Sequence, residues 1–277
     1  MRLVSGPSEN IKPLNVSLLM FSEDPEKFFP YARIEIVDIP EPTDNHMVEK
    51  IFHGPIQRQL QDALLYIRNY VLKEVIIKED DKAKATRILN YPYRAIEEIL
   101  ANAIYHRSYQ IREPITVRIT NEYMEITSFP GLDRSITDEK IANYDLRAKA
   151  YRNRRIGDFL KELHLIEGRN TGFPNALDAL EKNGSKRFTI EMNPERDYVS
   201  VIIPIHEYFL PKNKNKKYED KIISILNKNP LTLTKLSYAM GYKGISKKLR
   251  DTVNYLEKIN YIDKTIIDKE ILYSSKK

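Results

Sequence analysis

The sequence predicts an α+β protein in two parts: an α/β sandwich with its helices on one face, then a small unit of three helices and a hairpin. Three observations carry this. Helical and period-two segments follow one another from residue 13 to residue 210 as helices and antiparallel hairpins. The stretch LPKNKNKKYED is polar and basic, has no apolar period, and divides the chain. Charge is unevenly shared: from Lys212 to Lys277 there are sixteen Lys/Arg against seven Asp/Glu, whereas the remaining chain carries 29 against 32. A basic end on an otherwise slightly acidic chain is the pattern of a nucleic-acid-binding end, and also of a solvated lysine-rich tail.

Taken in order, LNVSLLMFS and YARIEIVDI read as two strands, the second with Ile34, Ile36 and Val37 near a period of two. PIQRQLQDALLYIRNYVLKEV reads as a helix, with Pro55 at its start and Leu60, Leu64, Ile67 and Val71 at helical spacing. The next helix is RAIEEILANAIYH, with Pro92 near its start. ITVRIT and YMEITS alternate apolar and polar residues around a turn at Asn121-Glu122, which makes a half-buried hairpin. A polar stretch to Asn153 reads as a loop or lid. RIGDFLKELHLIEG follows as a helix with Ile156, Phe159, Leu160 and Leu163 inward, ending near Gly168. GFPNALDALEKNG is one more helix, and RFTIEMNPERDYVSVIIPI a second hairpin. Expected boundaries are 1–85 for an N-terminal α/β segment, 86–211 for the core domain, 212–217 for a basic linker and 218–277 for the terminal unit. The chain starts abruptly, so we expect it to be the C-terminal piece of a longer protein.

Composition narrows the possibilities. There is no cysteine, hence no disulfide or thiolate metal site and no argument for export. The five histidines lack metal-ligand spacing such as HExxH, and no GxxxxGK[ST] loop is present, so a Walker-type motor is excluded. No apolar run reaches the length of a membrane span and MRLVSGPSEN is not a signal peptide, which points to a cytoplasmic protein without a membrane partner.

The segment EEILANAIYHRSY carries the chemistry. Glu98, Asn102 and His106 recur at four-residue steps and stack on one stripe of a helix. Such a stripe suits a magnesium-nucleotide site. Asn102 offers Mg²⁺ a neutral oxygen, and Glu98, one turn earlier, can take a proton from a water attacking the γ-phosphate. Spacing alone is met more simply by an exposed polar helix face. His106, Arg107 and Tyr109 at the helix end equally suit a structural role, closing the last carbonyls.

The succession YPYRAIEEILANAIYHRSY, EITSFPGL and RNRRIGDFLKELHLIEGRNTGFPNAL resembles the RecG-C-terminal-like branch of GHKL (Bergerat-fold) ATPase domains. That branch recurs in transcriptional regulators that also carry a Schlafen-AlbA-type domain. The matching residues are Glu98, Asn102, Ala103, His106, Arg107 and Tyr109; Pro130 and Gly131; Arg152 and Asn153; and Glu167, Thr171 and Gly172. The likeness covers roughly residues 12 to 205. It implies an ATP pocket between the sheet and the Asn102 helix, with Mg²⁺ on Asn102, Glu98 as general base, Gly131 at the base and the Thr171-Gly172 turn near phosphate. One departure stands out. Where GHKL domains read adenine with an aspartate, alignment on Gly131 puts Phe129, which has no acceptor for the adenine amine. Retained binding and a retired pocket are both compatible with that change.

The terminal unit reads as YEDKIISILNKN, PLTLTKLSYAMG and GISKKLRDTVNYLEKIN, three helices, followed by the hairpin YIDKTIIDKEILY. That order is the winged variant of helix-turn-helix. Ile245, Leu249, Val253 and Leu256 form an inward stripe on the third helix. Lys247, Lys248, Arg250 and Asn254 are then placed for phosphate and base-edge contacts, with Lys264 and Lys269 on the wing. Double-stranded DNA is the expected partner, protein docking the rival role, and the symmetry of DNA sites implies a homodimer. The combined expectation is a DNA-binding regulator with an ATP-binding-type domain. An ATPase acting on nucleic acid and a catalytically inactive assembly scaffold stand as alternatives.

Overall fold

The computed structural model describes residues 2–39, 47–78, 85–147, 151–165, 172–210, 216–258, 261–267 and 270–276. The chain separates into two compact units, Met1–Leu210 and Pro211–Lys277.

The first unit runs β1 (Val4–Ser5), β2 (Lys12–Pro13), α1 (Asn15–Phe21), β3 (Ile34–Ile39), β4 (Val48–Phe52), α2 (Ile56–Tyr66), β5 (Glu74–Ile77), β6 (Thr86–Leu89) and α3 (Tyr93–His106). It continues with β7 (Ile115–Thr120), β8 (Tyr123–Ser128), α4 (Asp138–Ala142), α5 (Arg154–Glu162), α6 (Gly172–Lys182), β9 (Thr189–Glu191) and β10 (Val199–Pro204). A six-stranded sheet has the order β4-β3-β7-β8-β10-β9. Only β3 and β7 pair in parallel; the other neighbours are antiparallel. Register lines up Ile36, Val117, Ile126, Val201 and Ile190 in one row across five strands. Strand alternation thus gathers one apolar face, while Thr116, Arg118 and Thr127 point the other way. Helices α2, α3 and α6 belong to the core on the apolar face through Leu60 and Leu64, Ile96 and Ile99, and Ala176 and Leu180. Each fully buried Ile or Leu there contributes about 1.5–3 kcal/mol. The first 85 residues supply two strands of this same sheet and one of its covering helices, so they share its core.

Several local expectations differ from the structure. Residues 14 to 22 do not form a strand: Asn15–Phe21 is helical, because Val16, Leu19 and Met20 recur at i, i+3, i+4 and are all buried against the core. α2 ends earlier than expected, passing into a π-helical turn at Ile67–Val71 before β5. The polar stretch before Asn153 contains the short α4, whose first turn is capped by the Thr137 hydroxyl accepting from the Lys140 N–H. α5 stops at Glu162 instead of near Gly168; His164 takes a left-handed φ of 56°, and Leu163 is exposed, not inward.

In the second unit α7 (Lys216–Leu226), α8 (Leu233–Ala239) and α9 (Lys247–Lys258) precede the hairpin of β11 (Ile262–Ile267) and β12 (Glu270–Ser275). Ile222, Leu226, Leu236, Met240, Leu249, Val253, Leu256, Ile262 and Tyr273 make a separate core. Leu231, in the turn before α8, exchanges two 2.9 Å backbone hydrogen bonds with Tyr273, which fixes the hairpin to the helices. Caps set the helix starts: Thr232 accepts from the Lys235 N–H, and Ser246 from the Leu249 N–H. Ile245 precedes that cap and is 38% exposed, so the inward stripe of α9 is Leu249, Val253 and Leu256 only.

Candidate functional site

α3 crosses the apolar face with Ile96, Ile99 and Leu100 inward, which leaves Asn102 and His106 along its edge, facing α6 and the loop after β8. There a cavity of about 210 Å³ is lined by His106, Ser128, Gly131, Asp133, Tyr151 and Arg152, among others. It continues inward as an apolar slot bounded by Ile99, Ala103, Ile126, Leu132, Val199 and Val201, and outward past Asn102, Gly172 and Phe173. Thus Asn102, His106, Gly131, Arg152 and Gly172, from four separate stretches of sequence, border one depression.

Asn102 is the centre of its outer end. Its Nδ2 is buried and has no hydrogen-bond partner, an expensive arrangement for a side chain that could have turned to solvent. Gly172, the first residue of α6, is so close that a Cβ would stand 2.5 Å from that nitrogen and 3.2 Å from Glu98 Oε2. Any side chain at 172 would displace the amide. Glu98 lies one turn back and is buried; its Oε1 takes Arg94 at 2.8 Å and the Asn175 amide at 3.0 Å. It borders a second depression of about 370 Å³, with Arg94, Lys161 and His164, and not the one beside Asn102. Thr171 and Glu167 lie outside the described residues.

His106, Arg107 and Tyr109 part company in space. His106 faces the cavity, and burial together with the nearby Arg152 lowers its imidazole to about 4, so the ring is neutral at physiological pH. Arg107 points away: it is buried and donates to the carbonyls of Tyr31 (3.2 Å) and Glu113 (2.7 Å), with its guanidinium 4.7 Å from the Tyr109 ring centre. Tyr109 donates to the Ile104 carbonyl at 3.1 Å. Both lock the chain reversal after α3. Its terminal carbonyls are closed from across the sequence. Asn153 Nδ2 donates to Tyr105 (3.0 Å) and Arg107 (2.6 Å), and Arg152 donates to the His106 carbonyl. Arg152 and Asn153 therefore hold α5 against the end of α3, and Arg152 also borders the cavity. Tyr151 stacks on Tyr105 at 5.4 Å and 11°, and lies 5.8 Å from the His106 ring, building an aromatic wall.

Gly131 is needed for a backbone approach. Its N–H donates to the Arg196 carbonyl at 2.7 Å, and a Cβ would meet the Tyr198 carbonyl at 2.8 Å. The Arg196 guanidinium in turn donates to the carbonyls of Leu132 (3.4 Å) and Asp133 (2.9 Å), so the turn between β9 and β10 pins the cavity loop. Phe129 does not line the cavity. Asp133 does, and Ser135, whose side chain lies beside it and whose N–H donates to Oδ1 at 2.9 Å, holds its carboxyl below the usual range, with Arg152 and Arg196 adding to the effect. Sequence reading missed Arg94, Asp133, Tyr151, Asn175 and Arg196. Arg94 stands four residues before Glu98 on the same helix, a spacing that could have pointed to it, whereas Tyr151, Asn175 and Arg196 have no local periodic signal, since each acts on residues distant in sequence.

In the second unit, Lys247, Arg250, Asp251 and Asn254 are exposed at i, i+3, i+4 and i+7 of α9 and share one face. Lys248 is exposed with its ammonium 4.8 Å above the Tyr218 ring, and Lys264 is exposed on β11. Lys269 lies outside the described residues.

Residues 113–203 match the sequence family described as "Putative ATP-dependent DNA helicase recG C-terminal". The match takes in Gly131, Arg152, Asn153 and Gly172; α3, with Glu98, Asn102 and His106, precedes it. Within the first unit, residues 113–203 are thus similar to an ATPase-type domain of the RecG C-terminal-like kind. Among solved structures, the DIP2311 protein from Corynebacterium diphtheriae is similar over 96% of this chain and 55% of its own, at 18% identity and a TM-score of 0.57. The chain spans little more than half the length of that relative, and at this identity the likeness concerns the fold. No curated protein matches the chain. Among the described residues, no helix is long and apolar enough to cross a membrane.

Proposed function

We propose that this chain is a DNA-binding transcriptional regulator whose first unit binds Mg·ATP and whose second unit, a winged helix-turn-helix, binds duplex DNA. The observation that carries the nucleotide half is the buried, unpartnered Asn102 amide under the first turn of α6. The depression fits such a ligand in its chemistry. The cavity of about 210 Å³ runs into an apolar slot, and Asn102 with the start of α6 offers a neutral polar group and a positive helix end to an anion. Among the described residues no cluster of three acidic or imidazole groups could hold a metal by itself. Asn102 would hold Mg²⁺ through Oδ1 and leave its unpartnered Nδ2 to donate to a phosphate oxygen, the nucleotide's phosphates and water supplying the other ligands. Bound Mg²⁺ would supply charge neutralisation at the phosphates.

Sensing is favoured over turnover. Glu98 commits Oε1 to Arg94 and Asn175, and it opens on a different depression from the one Asn102 borders. Those two neighbours hold Oε1 in place. For the DNA half, the Lys247–Arg250–Asn254 face of α9 combines cations with an amide able to read adenine edges, and Lys264 lies on the hairpin. Two copies would match a palindromic site, with nucleotide biasing their pairing.

Calorimetric titration of Mg·ATP into the chain, with Asn102→Ala as control, tests the first half. Saturable heat that disappears in the variant supports it, and a flat wild-type titration through millimolar ATP overturns it. For the second half, duplex binding is measured against salt. Lys247→Ala/Lys248→Ala should flatten the log–log slope by about 2. An unchanged slope removes α9 from the interface.

A further inference from the structure

The duplex-DNA reading leaves one residue of α9 without an explanation, a carboxylate in the middle of the basic face. We propose that Asp251 sets the base specificity of α9 by accepting the N4 amine of a cytosine in the major groove. The inference rests on the duplex-DNA reading above and deepens it.

Lys247, Arg250, Asp251 and Asn254 are all exposed, and their spacing puts them on one side of α9. Glu257, the other acid of the helix, comes later by almost two turns, about 240° further round, and is half-buried. Asp251 therefore stands alone among cations, in a terminal unit where sixteen Lys/Arg face seven Asp/Glu. Local structure does not account for it. Ser246 caps the start of α9, its hydroxyl accepting from the Leu249 N–H at 3.1 Å, and Asp251 lies beyond that first turn, where the positive helix end no longer favours an acid. Lys247 precedes it by one turn, the less favourable order for an ion pair along a helix, and no such pair forms.

The Asp251 carboxylate has no hydrogen-bond or ion-pair partner among the described residues, and neither do the side chains of Lys247, Arg250 and Asn254. Their neighbours are engaged within the unit: the Lys248 ammonium rests 4.8 Å from the Tyr218 ring centre, and the Thr252 hydroxyl donates to the Lys248 carbonyl at 2.8 Å. A carboxylate brought against DNA is repelled by phosphate and lowers affinity for every duplex. What it does well in the major groove is accept. Cytosine presents only the N4 amine there, whereas guanine presents two acceptors, thymine an acceptor and a methyl group, and adenine an acceptor beside its amine. An ionised carboxylate cannot donate, so cytosine suits it and the acceptors of the other bases repel it. Arg250, the preceding residue, carries the fork that matches N7 and O6 of a guanine.

The test uses the full chain. Duplexes are selected from a randomised pool, and binding of the selected site, of its single-base variants and of an unrelated duplex is then measured at one salt concentration. Wild type should require cytosine at one position, with every other base there weaker by about tenfold. Asp251→Ala should bring the four bases at that position within about twofold, while the unrelated duplex binds about two- to fivefold tighter because a charge facing phosphate is gone. That gain also certifies a folded variant. Asp251→Asn should move the preference from cytosine to adenine, whose N6 and N7 an amide meets together. A selected site with no required cytosine, or cytosine discrimination retained in Asp251→Ala, overturns the assignment while leaving duplex binding intact. Failure of wild type to bind any duplex overturns both readings.

Discussion

Replacing Gly157 with alanine sets two effects of opposite sign against each other. Gly157 sits inside α5, where alanine is ordinarily better by about 1 kcal/mol. Here its Cβ would stand 2.4 Å from Cε2 and Cζ of Tyr105 and 2.7 Å from the hydroxyl oxygen. Carbon contacts become comfortable only at about 3.5 Å, so ring or helix must retreat by roughly 1 Å. Neither is free to do so. The Tyr105 ring is stacked on Tyr151, and the Asn153 amide ties the start of α5 to the Tyr105 carbonyl. Overpacking of this kind costs about 1–3 kcal/mol, so the net expectation is a loss of about 1 kcal/mol. In a Tyr105→Ala background the obstacle is gone, and the same Gly157→Ala change should stabilise by about 1 kcal/mol. The coupling is therefore about 2 kcal/mol. Native-state hydrogen exchange at the buried Ile99, Leu100 and Ala101 amides reads the unfolding of the first unit alone. A coupling below about 0.5 kcal/mol would refute the claim that a glycine is required for α5 to lie against α3.

Three further outcomes are expected. Gly172→Ala presses on the far end of the flexible Asn102 side chain, so stability should change little while ATP affinity falls by about tenfold; calorimetry beside thermal melting separates the two. His106 stays neutral down to about pH 4 when folded but protonates near its ordinary value of 6.5 when unfolded. Stability is therefore lost as pH falls from 6.5 to 4, by roughly 1–2 kcal/mol after allowing for solvent at the half-buried ring. His106→Gln should flatten that limb of the stability–pH curve, and parallel curves would sink the argument. Leu249→Ala, at the fully buried centre of the second unit, should cost about 2–5 kcal/mol and lower exchange protection in α7 to α9 while leaving α3 unaffected.

Periodicity alone placed the Asn121-Glu122 hairpin, α3, α6, the three terminal helices and their hairpin, because each buries one face and that face is written at period two or 3.6. It misread Asn15–Phe21, a seven-residue stretch in which Val16, Leu18 and Met20 fit period two as readily as Val16, Leu19 and Met20 fit a helix until something covers one set. The candidate site divides in the same way. Asn102 and His106 were visible as a polar stripe, since their meaning lies in spacing along one helix. What they border was decided by the fold. Asn175 reaches Glu98 across 77 residues, Asn153 closes α3 from 48 residues downstream, and Arg196 fixes the loop that carries Asp133 from a turn between two other strands. A sequence records which face of each element avoids water. Which faces then meet, and which polar groups are left between them, is settled only when the sheet and its helices close on one another.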